Sequence, residues 1–188
     1  DVWAFEQTTA RVEQLLRRPW ERIAHEELAA LCERLTGLYT GPFLGNEPDE
    51  PWIFATRERL RHRLTRALQE ACRHAQQMGN LEHAIGWLER AVEGDQANPN
   101  VFMMLGLAYG RNGRLIESET ALKKAYQLGG ASAADAHLYL AGIYNKQGKF
   151  GDAWRELELY LKEAKGIKNK TKINELIASL KAKEKAKP

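Results

Sequence analysis

Three glycines, Gly79, Gly113 and Gly148, recur along this 188-residue chain at spacings of 34 and 35, and the side chains around them recur in register. Leu68, Ala71, Cys72 and Ala75 precede the first, and Ala84, Leu88 and Ala91 follow it. Phe102, Leu105, Gly106 and Tyr109 precede the second, with Ser118, Leu122 and Ala125 after it. His137, Leu140, Ala141 and Tyr144 precede the third, with Ala153, Leu157 and Tyr160 beyond. Apolar positions spaced i, i+3, i+4 on both sides of a glycine describe a helix–turn–helix unit. Such a unit buries its apolar face only by stacking on copies of itself, which constrains the whole chain to an all-α architecture.

The spacing has a local physical reading. Leu105, Gly106 and Tyr109 share one helical stripe, and Gly106, having no side chain, lets a partner helix approach closely. Gly113 falls in the short turn, where a left-handed backbone is easiest for glycine. Ser118, Leu122 and Ala125 line the facing stripe of the next helix. The third segment repeats the scheme with Ala141 opposite Ala153. In the first segment Ala71-Cys72 stands where the second has Leu105-Gly106.

These segments resemble the tetratricopeptide repeat family over about residues 64–165. The resemblance implies an all-α, right-handed solenoid of antiparallel helical hairpins with a C-terminal capping helix. Its concave face would bind a peptide, a helix or a partner domain. The groove positions it implies are Arg66, Gln69, Arg73 and Gln76 in the first segment. In the second they are Met103, Leu107, Gly110 and Arg111, and in the third Leu138, Asn145 and Lys146. This mixture of apolar and basic residues suits an extended or helical peptide of acidic character. Of the family's carboxylate clamp for chaperone tails, Asn145 and Lys146 are present but not the full set.

Further helices bracket the repeats. Residues 3–18 carry Phe5, Val12, Leu15 and Leu16 on one side. Pro19 punctuates the chain and suits a helix start, after which Ile23, Leu28, Leu31, Leu35 and Leu38 continue an apolar face to Gly41. Residues 41–51 hold three prolines and three acids and read as a loop. Glu47, Asp49 and Glu50 there favour the positive end of the helix expected over 52–77. A final helix over 170–184 offers Ile173, Leu176, Ile177 and Leu180 to cover the last repeat.

The N-terminal part carries a second set of motifs: DVWAFEQ, LTGLYTGPFL and DEPWIFATRERLRHRLTRAL. Together they are similar to the bacterial transcriptional activator domain over about residues 1–98, with Gly41-Pro42-Phe43-Leu44 and Glu50-Pro51-Trp52 the most specific. That family is itself all-helical and usually follows a winged helix-turn-helix DNA-binding domain. No DNA-reading part is present here, so specific nucleic-acid binding is not inherited. Residues 99–188 read as ordinary repeats plus the capping helix, giving a division at 98/99 within one helical stack. The first part uses arginine and the second lysine, with the change near residues 94–99. We read this as an engineered join of two natural fragments at a helix-pair boundary, without a selected ligand.

Composition excludes several classes. A net charge of +3 is too small to argue for nucleic acid, and its excess sits in the lysine-rich tail, a solvated face. Cys32 and Cys72 sit in apolar patterns as small hydrophobes, which fits a reducing, cytoplasmic setting. No apolar run approaches a membrane span and no signal peptide opens the chain. Residue 1 is Asp rather than Met, so the chain reads as a fragment. The five histidines form no HExxH pattern, and no phosphate loop, nucleophile elbow or dinucleotide fingerprint occurs. His137 reads as a packed repeat residue. The tryptophans Trp3, Trp20, Trp52, Trp87 and Trp154 read as packing residues.

The expected function is therefore a non-enzymatic protein-interaction or scaffolding module, with no cofactor and no metal. Its partner would be a protein or peptide in the groove, and the chain a monomer or weak homodimer. The alternative is a regulatory or oligomerisation fragment of a bacterial transcriptional activator.

Overall fold

The computed structural model describes residues 2–19, 22–41, 43, 46–47 and 50–186. Trp20, Pro42, Leu44 and Asp49, singled out above, lie outside the described residues. The chain folds into helices throughout: α1 (Val2–Leu16), α2 (His25–Leu38), α3 (Pro51–Gln77), α4 (Leu81–Gly94), α5 (Pro99–Arg111), α6 (Leu115–Gly129), α7 (Asp135–Lys146), α8 (Phe150–Glu163) and α9 (Lys170–Lys185). The described residues contain no strand, in agreement with the all-α helical-hairpin expectation. None of their helices is long and apolar enough to cross a membrane. Two compact units form, Asp1–Met104 and Leu105–Pro188, with the boundary inside α5.

The repeat turns follow from their glycines. Gly79, Gly113 and Gly148 all lie in the left-handed region, at φ of 76°, 81° and 72°. Each lets the following N–H reach back over the turn: Asn80 to the Ala75 carbonyl (2.8 Å), Arg114 to Tyr109 (2.9 Å) and Lys149 to Tyr144 (2.9 Å). These are the long bonds of a glycine C-cap, which satisfy carbonyls that the helix end would leave open.

In the first unit α1, α2, α3 and α4 pack on one another. Leu28, Cys32 and Leu35 of α2, Leu64, Leu68 and Ala75 of α3, and Ala84, Leu88 and Ala91 of α4 are completely buried. Helix α2 begins at His25, six residues beyond Pro19, so Pro19 does not start it; the Pro19 carbonyl accepts a turn bond from Arg22 N–H instead. Helix α3 does open on a proline, Pro51, whose missing N–H costs nothing there.

The segment after α4 is tied into this unit. Asp95 is 3% exposed and accepts from Arg61 Nε (2.6 Å) and Nη2 (3.2 Å), Tyr39 Oη (3.0 Å) and Ala97 N–H (3.0 Å). Burial pushes the Tyr39 phenol above its usual range, and the Asp95 charge and hydrogen bond add to this. Asn98 then caps α5, its Oδ1 accepting from the N–H groups of Asn100 (3.1 Å) and Val101 (3.4 Å). A side chain at Gly94 would collide with the Tyr39 carbonyl oxygen.

In the second unit α6 packs on α7, α7 on α8 and α8 on α9. Ile173, Ile177 and Leu180 of α9 are buried, while Leu176 remains 43% exposed, so three of the four expected capping residues cover α8. His137 is buried as expected, and its Nδ1 lies 2.6 Å from Glu156 Oε2. Of the tryptophans, Trp87 is buried, and Trp154 donates its indole N–H to Glu184 (2.7 Å). Trp3 and Trp52 depart from the packing expectation at 68% and 59% exposed. Each sits in the first turn of its helix, beyond the reach of the buried stripe.

Candidate functional site

A groove of about 260 Å³ opens in the second unit across α5, α6 and α7. Its floor is set by a close helix contact. Ser118 Oγ donates to the Gly106 carbonyl at 2.6 Å, so that hydroxyl is already occupied. A Cβ on Gly106 would stand 2.7 Å from Leu122 Cγ, and one on Gly110 would stand 3.0 Å from Ser118 Oγ and 3.2 Å from Ile143 Cδ1. The two glycines therefore allow α5 to lie close against its neighbours. Gly142 is different: a Cβ there would meet nothing within 4 Å. It leaves open space beside Leu107, Leu138 and Tyr139.

Of the residues expected at a groove, Leu107, Gly110, Arg111, Leu138 and Lys146 line this one. Asn145 is exposed and does not line it. At about 100° per residue Asn145 falls outside the arc of α7 that runs from Leu138 through Gly142 and Lys146 to Tyr139 and Ile143. Gly142, Ile143 and Tyr139 line the groove without having been singled out for it; the i+4 steps from Leu138 to Gly142 to Lys146 were the available signal. The other expected positions belong to the first unit. Arg66, Gln69, Arg73 and Gln76 are exposed along one face of α3, and Met103 is half-buried on α5. Arg73 pairs with Glu70 at 2.7 Å.

The groove is smaller than pockets for whole ligands, which run about 300–1,000 Å³. It accommodates a side chain or two of a longer segment. Apolar groups form its interior, and Arg111 and Lys146 supply positive charge beside them.

Three of the five histidines gather elsewhere. His25 Nε2 lies 2.8 Å from His83 Nδ1 with ring centroids 5.0 Å apart and an angle of 20° between planes. That separation is the length of an edge-to-edge imidazole hydrogen bond, in which the two nitrogens point at each other. His74 lies beside His25 at 6.4 Å, and His83 beside Trp87 at 6.3 Å. Among the described residues no three His, Cys, Asp or Glu side chains converge on a metal position. Burial pushes the Cys72 thiol up to about 12 and raises the Cys32 thiol as well, which leaves both unreactive as nucleophiles.

No curated protein sequence matches the chain significantly. Among solved structures, it is similar to the MamA protein at 18% identity, with a TM-score of 0.48 over 81% of this chain and 94% of that one. It is also similar to TTC0263, a thermophilic TPR protein of Thermus thermophilus, at 19% identity, with a TM-score of 0.49 over 94% of this chain and 98% of that one. The family of the bacterial transcriptional activator domain matches residues 1–129, well beyond the 1–98 of the motif resemblance and through the segment that Asp95 anchors. The chain belongs to the bacterial transcriptional activator domain family.

Proposed function

We propose that the chain is a protein-interaction module without catalytic activity, and that the α5–α7 groove takes an extended or helical peptide. The observation that carries this reading is an apolar groove, open over Gly142, with Arg111 and Lys146 beside it. An apolar anchor followed by a carboxylate matches that lining. The test is to pan a displayed library of random peptides against the chain and measure the recovered sequences on Leu107→Glu/Leu138→Glu. Enriched peptides that share an apolar–acidic motif and lose at least tenfold in affinity on the variant support the proposal. Peptides that bind both proteins equally refute it.

Family membership favours a second reading, in which the chain is a regulatory or oligomerisation part of a bacterial transcription activator acting in the cytoplasm. Light scattering across a concentration series separates the two. A defined dimer favours the second, and a monomer the first. The engineered-join reading draws on the change from arginine to lysine usage, which falls between Arg114 and Lys123 rather than near residues 94–99. Against it stand the match through residue 129 and the anchoring of Asp95 by Tyr39 and Arg61.

A further inference from the structure

In the first unit a wider groove of about 670 Å³ runs between α1 and α2. Arg11 stands on its α1 wall, Arg18 in the turn two residues past the end of α1, and Arg34 on its α2 wall, with Glu27 the one acidic residue among its lining. All three arginines are exposed, and among the described residues no carboxylate pairs with them. Most arginines of α3 in the same unit are paired, with Arg66 the exception among the described residues. Arg59 reaches Glu6 at 3.0 Å, Arg61 holds Asp95, Arg73 holds Glu70, and Arg57 donates to the carbonyls of Phe43 and Glu47. What distinguishes the groove is that it gathers three unpaired guanidiniums on one surface.

We infer that the α1–α2 groove is a docking surface for an acidic helix of a partner protein, recognised through Arg11, Arg18 and Arg34. Charge complementarity supplies the argument for the occupant, with three guanidiniums facing one carboxylate. The geometry supplies its form. Arg11 on α1 and Arg18 just past the C-terminal end of α1 lie along one wall, with Arg34 on the other, so carboxylates repeated along one face of a helix laid in the groove meet both walls. Ala10 and Ala30, both small and exposed, lie along the groove and let a helix come close. Guanidinium and carboxylate then pair through two parallel hydrogen bonds, which fixes the register of the docked helix. Glu27 stands within the lining and disfavours a continuous polyanion such as a nucleic-acid backbone. This surface is independent of the groove at Leu107 and Leu138.

The test uses the full chain and a fluorescein-labelled peptide of about 20 residues in which a Glu-Ala-Leu-Glu-Ala-Ala-Ala heptad repeats, placing glutamates at i, i+3 and i+7 on one face. Anisotropy titrations would compare the wild type with Arg11→Glu/Arg18→Glu/Arg34→Glu and with the control Arg66→Glu/Arg73→Glu/Arg90→Glu. Circular dichroism would establish that both variants fold, which substitutions at exposed positions allow. The expected result is saturable binding that weakens at least tenfold in the groove variant and less than threefold in the control. A scrambled peptide of equal composition should also bind at least tenfold more weakly. Equal losses in both variants, equal binding of the scrambled peptide, displacement by a short DNA duplex at lower concentration, or no saturable binding would each overturn the inference.

Discussion

Replacing Asp95 by Asn should be the most damaging near-isosteric change in the first unit. Its carboxylate accepts four hydrogen bonds, two at each oxygen: Tyr39 Oη and Arg61 Nε at Oδ2, and Arg61 Nη2 and the Ala97 N–H at Oδ1. Asparagine retains one carbonyl oxygen and turns an amide NH₂ toward the other two donors. Two donors lose their acceptor, and the Arg61 guanidinium loses its buried counter-charge. Breaking a buried pair by removing one partner costs about 3–5 kcal/mol. Arg61 is 24% exposed and keeps Glu58 at 2.9 Å, which places the loss near the lower end, about 3 kcal/mol. For a chain of this size that lowers the melting midpoint by about 6–12 °C, measurable by circular dichroism. In an Arg61→Met background the same substitution should cost only about 1 kcal/mol, because only the Tyr39 and Ala97 bonds remain to be disturbed. The Tyr39 phenol should also ionise at lower pH in Asp95→Asn than in the wild type, since the Asp95 charge helps to hold it up. A loss below about 1 kcal/mol, or the same loss in both backgrounds, would refute the reasoning.

The helical glycines predict opposite signs. Gly106→Ala gains about 1 kcal/mol of helix propensity but overpacks Leu122 at a cost of about 1–3 kcal/mol, for a net loss near 1 kcal/mol in urea unfolding. Gly142→Ala meets nothing and should stabilise by about 0.5–1 kcal/mol while weakening peptide binding in the groove it narrows. Gly113→Ala forces a side chain into φ 81° and should cost about 1–2 kcal/mol by the same assay. The His25 pKa is lowered by burial and then by His83 and His74, with Glu26 on its own helix opposing. Its folded value thus lies below 6.5, and the unfolded chain binds the extra proton first. That contribution to stability is complete above about pH 6.5 and is lost as pH falls below it, a slope that His25→Gln should flatten in pH-dependent melting.

The hairpin repeat was legible in the sequence because its causes are local. Only glycine enters the left-handed turn cheaply, and the apolar stripes around Gly113 and Gly148 are set by helical periodicity. Asp95 and Asn98 were not legible. They sit in a polar segment that reads as a solvated junction, and what buries Asp95 is an arginine 34 positions earlier in the chain. The groove was half legible. Leu107, Leu138 and Lys146 follow from helix phase, whereas the opening at Gly142 depends on what neighbouring helices leave unfilled. The α1–α2 arginines escaped notice because their gathering along one groove, away from carboxylates, is a property of the folded neighbours alone.

The glycine closures at Gly113 and Gly148 make the hairpin joints interchangeable parts. Each helix end is sealed by bonds drawn from its own last turn and the three residues after it, so a joint owes nothing to which hairpin comes next. A stretch of about 35 residues, cut at corresponding points of the two turns, carries a complete seal with it. Duplication or deletion of such a stretch leaves every joint closed, while an insertion of half that length would leave one helix without an antiparallel mate. The length of the array is therefore free to change over evolutionary time only in whole hairpins, like beads added to a string.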